Sequence, residues 1–267
     1  MSLFEAPVNE NDSTQIMMTS FSKSIKTANS EQKNYFFIDW DDTILPTTGL
    51  RAAGLLAGTI AEMTEESAPP CIPSGIHALL SELEDLAVSV IELAESLGKV
   101  VFVTNSSSMW IPFTVKRFFP RRLYQMISKF ECYSARPEEV ERALANPETA
   151  KNVFYVPTMG TQWKIDKFKQ LASRGSFNHF ISIGDGYAER CAVMALKNDK
   201  LCSKAVRLDA QPSIELMLDQ LLALKNLLKD IVADPRSGDV ALFNDGFRLI
   251  PTSDENLPNL VVLKAPN

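Results

Sequence analysis

Three short runs of apolar, β-forming residues, each cut off by a polar cluster, constrain the fold of this chain more than any other feature. They are Tyr35-Phe36-Phe37-Ile38 before Asp39-Trp40-Asp41-Asp42-Thr43, Val100-Val101-Phe102-Val103 before Thr104-Asn105-Ser106, and Phe180-Ile181-Ser182-Ile183 before Gly184-Asp185-Gly186. Runs that are apolar at nearly every position, rather than at alternate ones, belong to strands buried on both faces. Between them lie segments with helical apolar spacing: residues 76–97, closed by Gly98 as a C-cap, then about 111–127, then 163–172. Residues 130–133 and 153–156 are further strand candidates. Strands alternating with helices predict an α/β fold, a doubly wound parallel sheet with helices on both faces. No internal repeat is visible.

Open α/β sheets collect ligands outside the carboxyl ends of their strands, so the three polar clusters are expected to meet in one site. Asp39 and Asp41 place two carboxylates two residues apart as the chain leaves a strand. In phosphoryl transfer one carboxylate attacks phosphorus to give an aspartyl-phosphate. A second protonates the leaving oxygen and later deprotonates water. Asp39 is the expected nucleophile and Asp41 the acid/base. Standing alone, this cluster would read as an acidic turn capping the next helix, so the other clusters must corroborate it. Thr104 offers a hydroxyl for a nonbridging phosphate oxygen, and Thr43, Asn105 and Trp40 are the other expected substrate contacts. Lys164, read as opening a helix with Trp163, would neutralise the phosphate and Asp39. Lys167, one turn on, is the alternative, and Lys151 and Lys169 read as solvated surface.

Gly184-Asp185-Gly186 ends a strand with Glu189 four residues past Asp185. Clustered carboxylate oxygens suit hard Mg²⁺ better than a softer transition metal. Asp39, Asp185 and the backbone carbonyl of Asp41 are the expected ligands, with Glu189 close by or acting through water. His77 and His179 fit neither a zinc site nor a His-based triad and read as structural.

Composition bears on what is excluded. A net charge of -6 disfavours nonspecific nucleic-acid binding, which needs Lys and Arg to displace counterions from phosphates. The most apolar stretch, 214–232, is interrupted by Asp219, Lys225 and Lys229, so no membrane span is expected. Four widely spaced cysteines with no CxxC pair suggest neither a disulfide framework nor a zinc site, and a cytoplasmic setting fits. Residues 1–34 are polar, with Glu5, Glu10 and Asp12 arguing against a secretory signal or transit peptide, and read as a mobile tail before a domain over 35–232. Residues 233–267, with Asp245-Gly246 between apolar runs, read as a C-terminal extension forming a hairpin. The basic stretch from Lys116 to Arg122 reads as a solvated helix end. Ile214, Met217, Leu221, Leu224, Leu228 and Ile231 form a stripe expected to pack on the core.

Four clusters in this order, FFIDWDDTIL, VVFVTNS, WKIDKF and ISIGDGYAE, resemble the four motifs of the haloacid dehalogenase superfamily over roughly residues 35–210. The resemblance implies a Rossmann-like fold, a Mg²⁺ requirement and an aspartyl-phosphate route carried by Asp39, Asp41, Thr104, Lys164 and Asp185. Members that hydrolyse phosphoesters have an acid two residues after the nucleophile, as Asp41 is here, whereas dehalogenases and ion-pumping ATPases do not. The sequence departs from the family at Glu189, where Asp is usual. DWDDT with Pro46, Ser134-Ala135-Arg136, Trp163-Lys164 and GDGYAER also resemble a group of little-characterised eukaryotic and effector-type members. That likeness names no substrate.

Cap domains of this superfamily are inserted after the first or second motif, and both intervals are about sixty residues here. Once a long helix is subtracted, only residues 46–74 remain for a flap. The expectation is a nearly capless, open site that admits a phosphorylated protein side chain, phosphotyrosine or phosphoserine. Trp40, Trp110 and Phe113 are candidate aromatics near it, or core residues. The alternatives are a small-metabolite phosphatase or phosphotransferase, acting on a sugar or nucleotide phosphate, and a noncatalytic scaffold. The oligomeric state is left open.

Overall fold

The computed structural model of the chain describes residues 34–56, 71–150, 157–198, 200–243 and 246–250. In chain order its elements are β1 (Asn34–Ile38), α1 (Thr47–Ala52), α2 (Ser74–Leu97), β2 (Gly98–Thr104), α3 (Trp110–Phe118), α4 (Arg122–Ile127) and β3 (Glu131–Ser134). There follow α5 (Glu138–Ala145), α6 (Pro147–Ala150), α7 (Pro157–Ala172), β4 (His179–Gly184), α8 (Tyr187–Met194), β5 (Cys202–Arg207), α9 (Ile214–Ala233), β6 (Gly238–Phe243) and β7 (Gly246–Ile250). The strands form one sheet in the order β3-β2-β1-β4-β5-β6-β7, parallel except for the antiparallel β6–β7 pair.

β1 lies between β2 and β4, with Phe36 opposite Val100 on one side and Ile181 on the other. The chain builds outward from β1 through β2 to β3, then returns to the other flank of β1 with β4. Strand order therefore reverses between β1 and β4, and a crevice opens outside their carboxyl ends. Asp39 and Asp185 follow those two strands, and Thr104 ends β2.

All five residues of β1 are buried, and they alternate between two cores. Phe36, Ile38 and Trp40 face the side covered by α2, α3, α4 and α9, against residues such as Leu83, Val115, Leu123 and Leu221. Tyr35 and Phe37 face α7 and α8, where Phe37 stacks on Phe168 at 4.1 Å. Each large apolar side chain so buried is worth about 1.5–3 kcal/mol. The strand that delivers Asp39 is thus anchored on both faces.

Several elements differ from their sequence expectation. The helix expected over 111–127 is two helices, because Pro120 cannot continue α3 and the chain breaks at 119–121. Gly98 caps the C-terminus of α2 as expected, its N–H donating to the Ala94 carbonyl, but it is extended, at φ 176°, and is already the first residue of β2. Its missing side chain serves packing, since a Cβ there would fall 2.7 Å from the Asn34 Cβ. α7 starts at Pro157, a residue suited to the first helical position, so Trp163 and Lys164 lie mid-helix rather than at its opening. All six residues of the 214–231 stripe are buried, and α9 packs against α2. The hairpin expected within 233–267 is β6–β7, and through β6 it extends the sheet beyond β5. Strand β5 had no clear apolar run, because Ser203 and Lys204 occupy buried positions. The expected tail, the 153–156 strand and Lys151 lie outside the described residues, apart from Asn34, which opens β1. Among the described residues no helix is long and apolar enough to cross a membrane.

The basic stretch serves the fold. Arg121 Nε donates to Glu84 Oε2 at 3.1 Å, and Arg122 reaches Asp85 at 3.4 Å, tying α4 to α2.

Candidate active site

Two groups of side chains gather at the reversal point. The first is centred on Asp39, whose backbone N–H donates to the Ile183 carbonyl at 2.9 Å and ties the loop after β1 to β4. Lys164 Nζ donates to Asp39 Oδ1 at 2.6 Å and forms an ion pair with Glu189, and all three side chains are buried. The Asp185 carboxylate completes the group: one oxygen each of Asp39, Asp185 and Glu189 lie within 4.8 Å of one another. Close approach here requires glycine. A Cβ on Gly184 would sit 2.6 Å from Glu189 Cγ and 3.3 Å from Asp39 Cβ, and one on Gly186 would collide with Glu189 Oε2.

The second group is centred on Asp41. Its Oδ1 accepts from Thr47 Oγ1 at 2.6 Å and from Trp110 Nε1 at 2.8 Å. Its Oδ2 accepts longer bonds, from Thr104 Oγ1 at 3.2 Å and Ser106 Oγ at 3.3 Å. One oxygen is therefore held tightly from behind while the other faces the Thr104 hydroxyl. Asp42 closes the turn at φ 51°, a left-handed conformation that Asp tolerates. Its carboxylate accepts from the Thr48 N–H at 2.8 Å and Thr48 Oγ1 at 2.7 Å. Asp42 thus satisfies a first-turn N–H of α1, so the capping expected of this acidic cluster falls to it and not to Asp39 or Asp41.

Charge is out of balance. Five carboxylates, those of Asp39, Asp41, Asp42, Asp185 and Glu189, share the region with the Lys164 ammonium and, on the Asp42 side, the Arg51 guanidinium. Burial pushes the Asp39 pKa upward, Lys164 opposes that shift, and the Asp41 charge adds to it. Burial likewise raises Asp42, against the Thr48 hydrogen bonds. Asp185 is pushed up to about 8 by burial and the Asp39 charge, with Lys164 acting against them. A further cation at this group would favour its ionised form over protonation. Asp39, Asp185 and Glu189 fit Mg²⁺: their donors are hard oxygens, and Glu189 Oε2 is buried without a hydrogen-bond partner.

Of the sequence candidates, Asp39, Lys164, Asp185 and Glu189 come together in the first group, and Asp41 with Thr104 in the second. Asp41 does not belong by its side chain to the carboxylate group that could hold a metal. Lys167 is not the site lysine, since its Nζ lies over the Tyr133 ring at 5.8 Å and lines a separate cleft. Trp40 is fully buried, with its indole donating to Thr114 Oγ1 at 2.9 Å, so its side chain belongs to the core, while its backbone N–H bonds the Asp39 carboxylate. Thr43 is also fully buried, with no partner for its hydroxyl, because the left-handed Asp42 turns the chain inward. Asn105 is half-buried beside Thr104 and has an unpaired Oδ1. Phe113 stacks on Trp110 at 6.5 Å and is partly buried against the core.

Sequence reasoning missed Thr47 and Ser106 altogether, and saw Trp110 only as an aromatic near the site. Hydrogen-bonding residues placed just past Pro46 and just past Thr104 were the available signal. No protein-family model matches the chain, and no match is found among curated proteins or solved structures.

Proposed function

We propose that the chain is a Mg²⁺-dependent phosphomonoester hydrolase of the haloacid dehalogenase type, working through an aspartyl-phosphate on Asp39. The observation that carries this reading is the meeting of a buried Asp39–Lys164–Glu189 group with Asp185 on one side and Thr104-bonded Asp41 on the other, at one strand-order reversal.

Lys164 occupies Asp39 Oδ1, which leaves Oδ2 to attack phosphorus. As the new P–O bond forms, the ester P–O bond breaks and Asp41 delivers a proton to the leaving oxygen. Thr104 donates to a nonbridging phosphoryl oxygen, exchanging its 3.2 Å bond to Asp41 for one to substrate. In the second half Asp41 takes a proton from water, the hydroxide attacks phosphorus, and the P–O bond to Asp39 breaks to release phosphate. Lys164 offsets the charge on Asp39 and on the phosphoryl group throughout. A magnesium ion held by Asp39, Asp185 and Glu189 would neutralise phosphoryl charge that a single lysine cannot.

The substrate in this reading is a phosphorylated protein side chain, phosphotyrosine or phosphoserine. The test is steady-state hydrolysis of p-nitrophenyl phosphate with and without Mg²⁺, by wild type and Asp39→Asn, followed by phosphopeptide and metabolite panels. Metal-dependent turnover abolished in Asp39→Asn is the expected result. Turnover that survives Asp39→Asn would refute the aspartyl-phosphate route. A kcat/KM on sugar or nucleotide phosphates orders of magnitude above that on phosphopeptides would replace the protein substrate with a metabolite.

A further inference from the structure

The loop after β2 has two roles. Ser106 donates to Asp41, whereas Ser108 lines a separate cleft of about 430 Å³ formed with β3, α5 and α7. Two residues of chain span about 7 Å at most, so the cleft begins within one or two peptide units of the phosphoryl site. Arg136 reinforces that link, because its Nε donates to the Asn105 carbonyl at 2.7 Å and Asn105 directly follows Thr104.

The cleft carries three cations, Arg136, Arg142 and Lys167, and two acids, Glu138 and Glu141. Glu141 is fully engaged in building the wall. Its Oε1 accepts from Ser134 Oγ at 2.9 Å, and its Oε2 accepts from the N–H and hydroxyl of Ser108 at 3.3 and 3.2 Å. Arg142 Nε donates to the Glu138 carbonyl at 3.3 Å, and Lys167 lies over the Tyr133 ring. Neither Arg142 nor Lys167 has a carboxylate within ion-pair distance among the described residues. The cleft is thus net positive on a chain of net charge -6 and lies beside a cluster of carboxylates.

Resting on the phosphatase reading, we propose that this cleft is a second, anion-binding subsite, which receives an acidic side chain about two residues from the phosphorylated residue of a polypeptide substrate. An extended chain advances about 3.3 Å per residue, so the Cα of a residue two positions away lies about 7 Å from that of the phosphoresidue, on the scale of the Ser106 to Ser108 offset. Lys167 and Arg142 meet its carboxylate, and the Tyr133 ring supplies apolar floor for the stem.

The experiment compares two labelled phosphopeptides that differ at the second and third positions on both sides of the phosphoresidue, Asp/Glu in one and Asn/Gln in the other. Their Kd values are measured by fluorescence anisotropy with Asp39→Asn, so that the peptides are not consumed. The acidic peptide should bind about five- to tenfold more tightly at low salt, the yield of two partly exposed charge pairs, and the gap should close at high salt. Adding Lys167→Met and Arg142→Gln should abolish the preference, Lys167→Arg should retain it, and Lys167→Met/Arg142→Gln on wild-type Asp39 should leave p-nitrophenyl phosphate turnover within about twofold. Equal Kd values, or a preference that survives the double substitution, would overturn the subsite. Loss of p-nitrophenyl phosphate turnover in wild type would instead overturn the catalytic reading, and the binding comparison would still stand or fall on its own.

Discussion

Trp110→Phe tests whether the tight hold on one oxygen of Asp41 matters to catalysis. The indole N–H lies 2.8 Å from Oδ1, and Thr47 Oγ1 lies 2.6 Å from the same atom. A hydrogen bond to a charged group contributes about 1.5–3 kcal/mol. The Thr47 bond survives the substitution, so the lower end applies. A loss of about 1.5 kcal/mol corresponds to roughly a tenfold fall in kcat. Phenylalanine keeps most of the buried ring and its stacking on Phe113, so the fold should lose only about 1 kcal/mol. Kinetics on p-nitrophenyl phosphate and on an alkyl phosphate, paired with thermal unfolding, separate the two effects. Thr47→Val combined with Trp110→Phe should cost more than the sum of the single changes, because either donor alone still orients Oδ1. A kcat within twofold of wild type in Trp110→Phe, or an effect confined to KM, would refute the assignment of Trp110 as the residue that positions Asp41.

Asp41→Asn should spare the first half-reaction with an aryl leaving group, which departs without a proton, and block the second. A burst of p-nitrophenolate equal to the enzyme concentration is expected in rapid-mix experiments, whereas alkyl phosphates should lose about 10²–10⁴ in rate. Lys164→Met leaves buried carboxylates uncompensated and should cost about 3–5 kcal/mol at neutral pH. Its unfolding temperature should fall by about 10 °C or more, and by less as the pH is lowered, because burial already shifts Asp39 upward and toward its protonated form. Asp185 has a folded pKa raised from 3.8 to about 8, so the metal-free folded state holds a proton that the unfolded chain has released. Stability in chelator should therefore fall as pH rises across that window, the opposite of a salt-bridged carboxylate. Mg²⁺ bound at the proposed site would displace the same proton, so its affinity by calorimetry should rise up to about tenfold per pH unit and level off above about pH 8.

The parallel sheet was legible because three adjacent strands, β2, β1 and β4, are short apolar runs that end in polar clusters, and period is a local property of the chain. The same runs placed Asp39, Thr104 and Asp185 at strand ends, and β1 and β4 proved to be neighbours across the order reversal. Strand β5 was illegible for the converse reason. Its buried Lys204 reads as a surface residue until the C-terminal end of α9 is seen to supply the Asp234 carbonyl, at 2.5 Å from Nζ. Helix α7 was underestimated because Gly160 and the polar residues before Trp163 weaken its apolar pattern, although Pro157 marks its first turn.

Local pattern thus determined which residues leave the strands with reactive groups, since backbone period and chain breaks are written in consecutive residues. Only tertiary structure decided between neighbours of like chemistry. Lys164 is buried against Asp39 while Lys167, three residues on, lines another cleft, and Trp110 meets Asp41 while Trp40 enters the core. Asp39 accepts from a lysine 125 residues away and Asp41 from an indole 69 residues away, and separations of that size are set by how helices cover a sheet rather than by spacing along the chain.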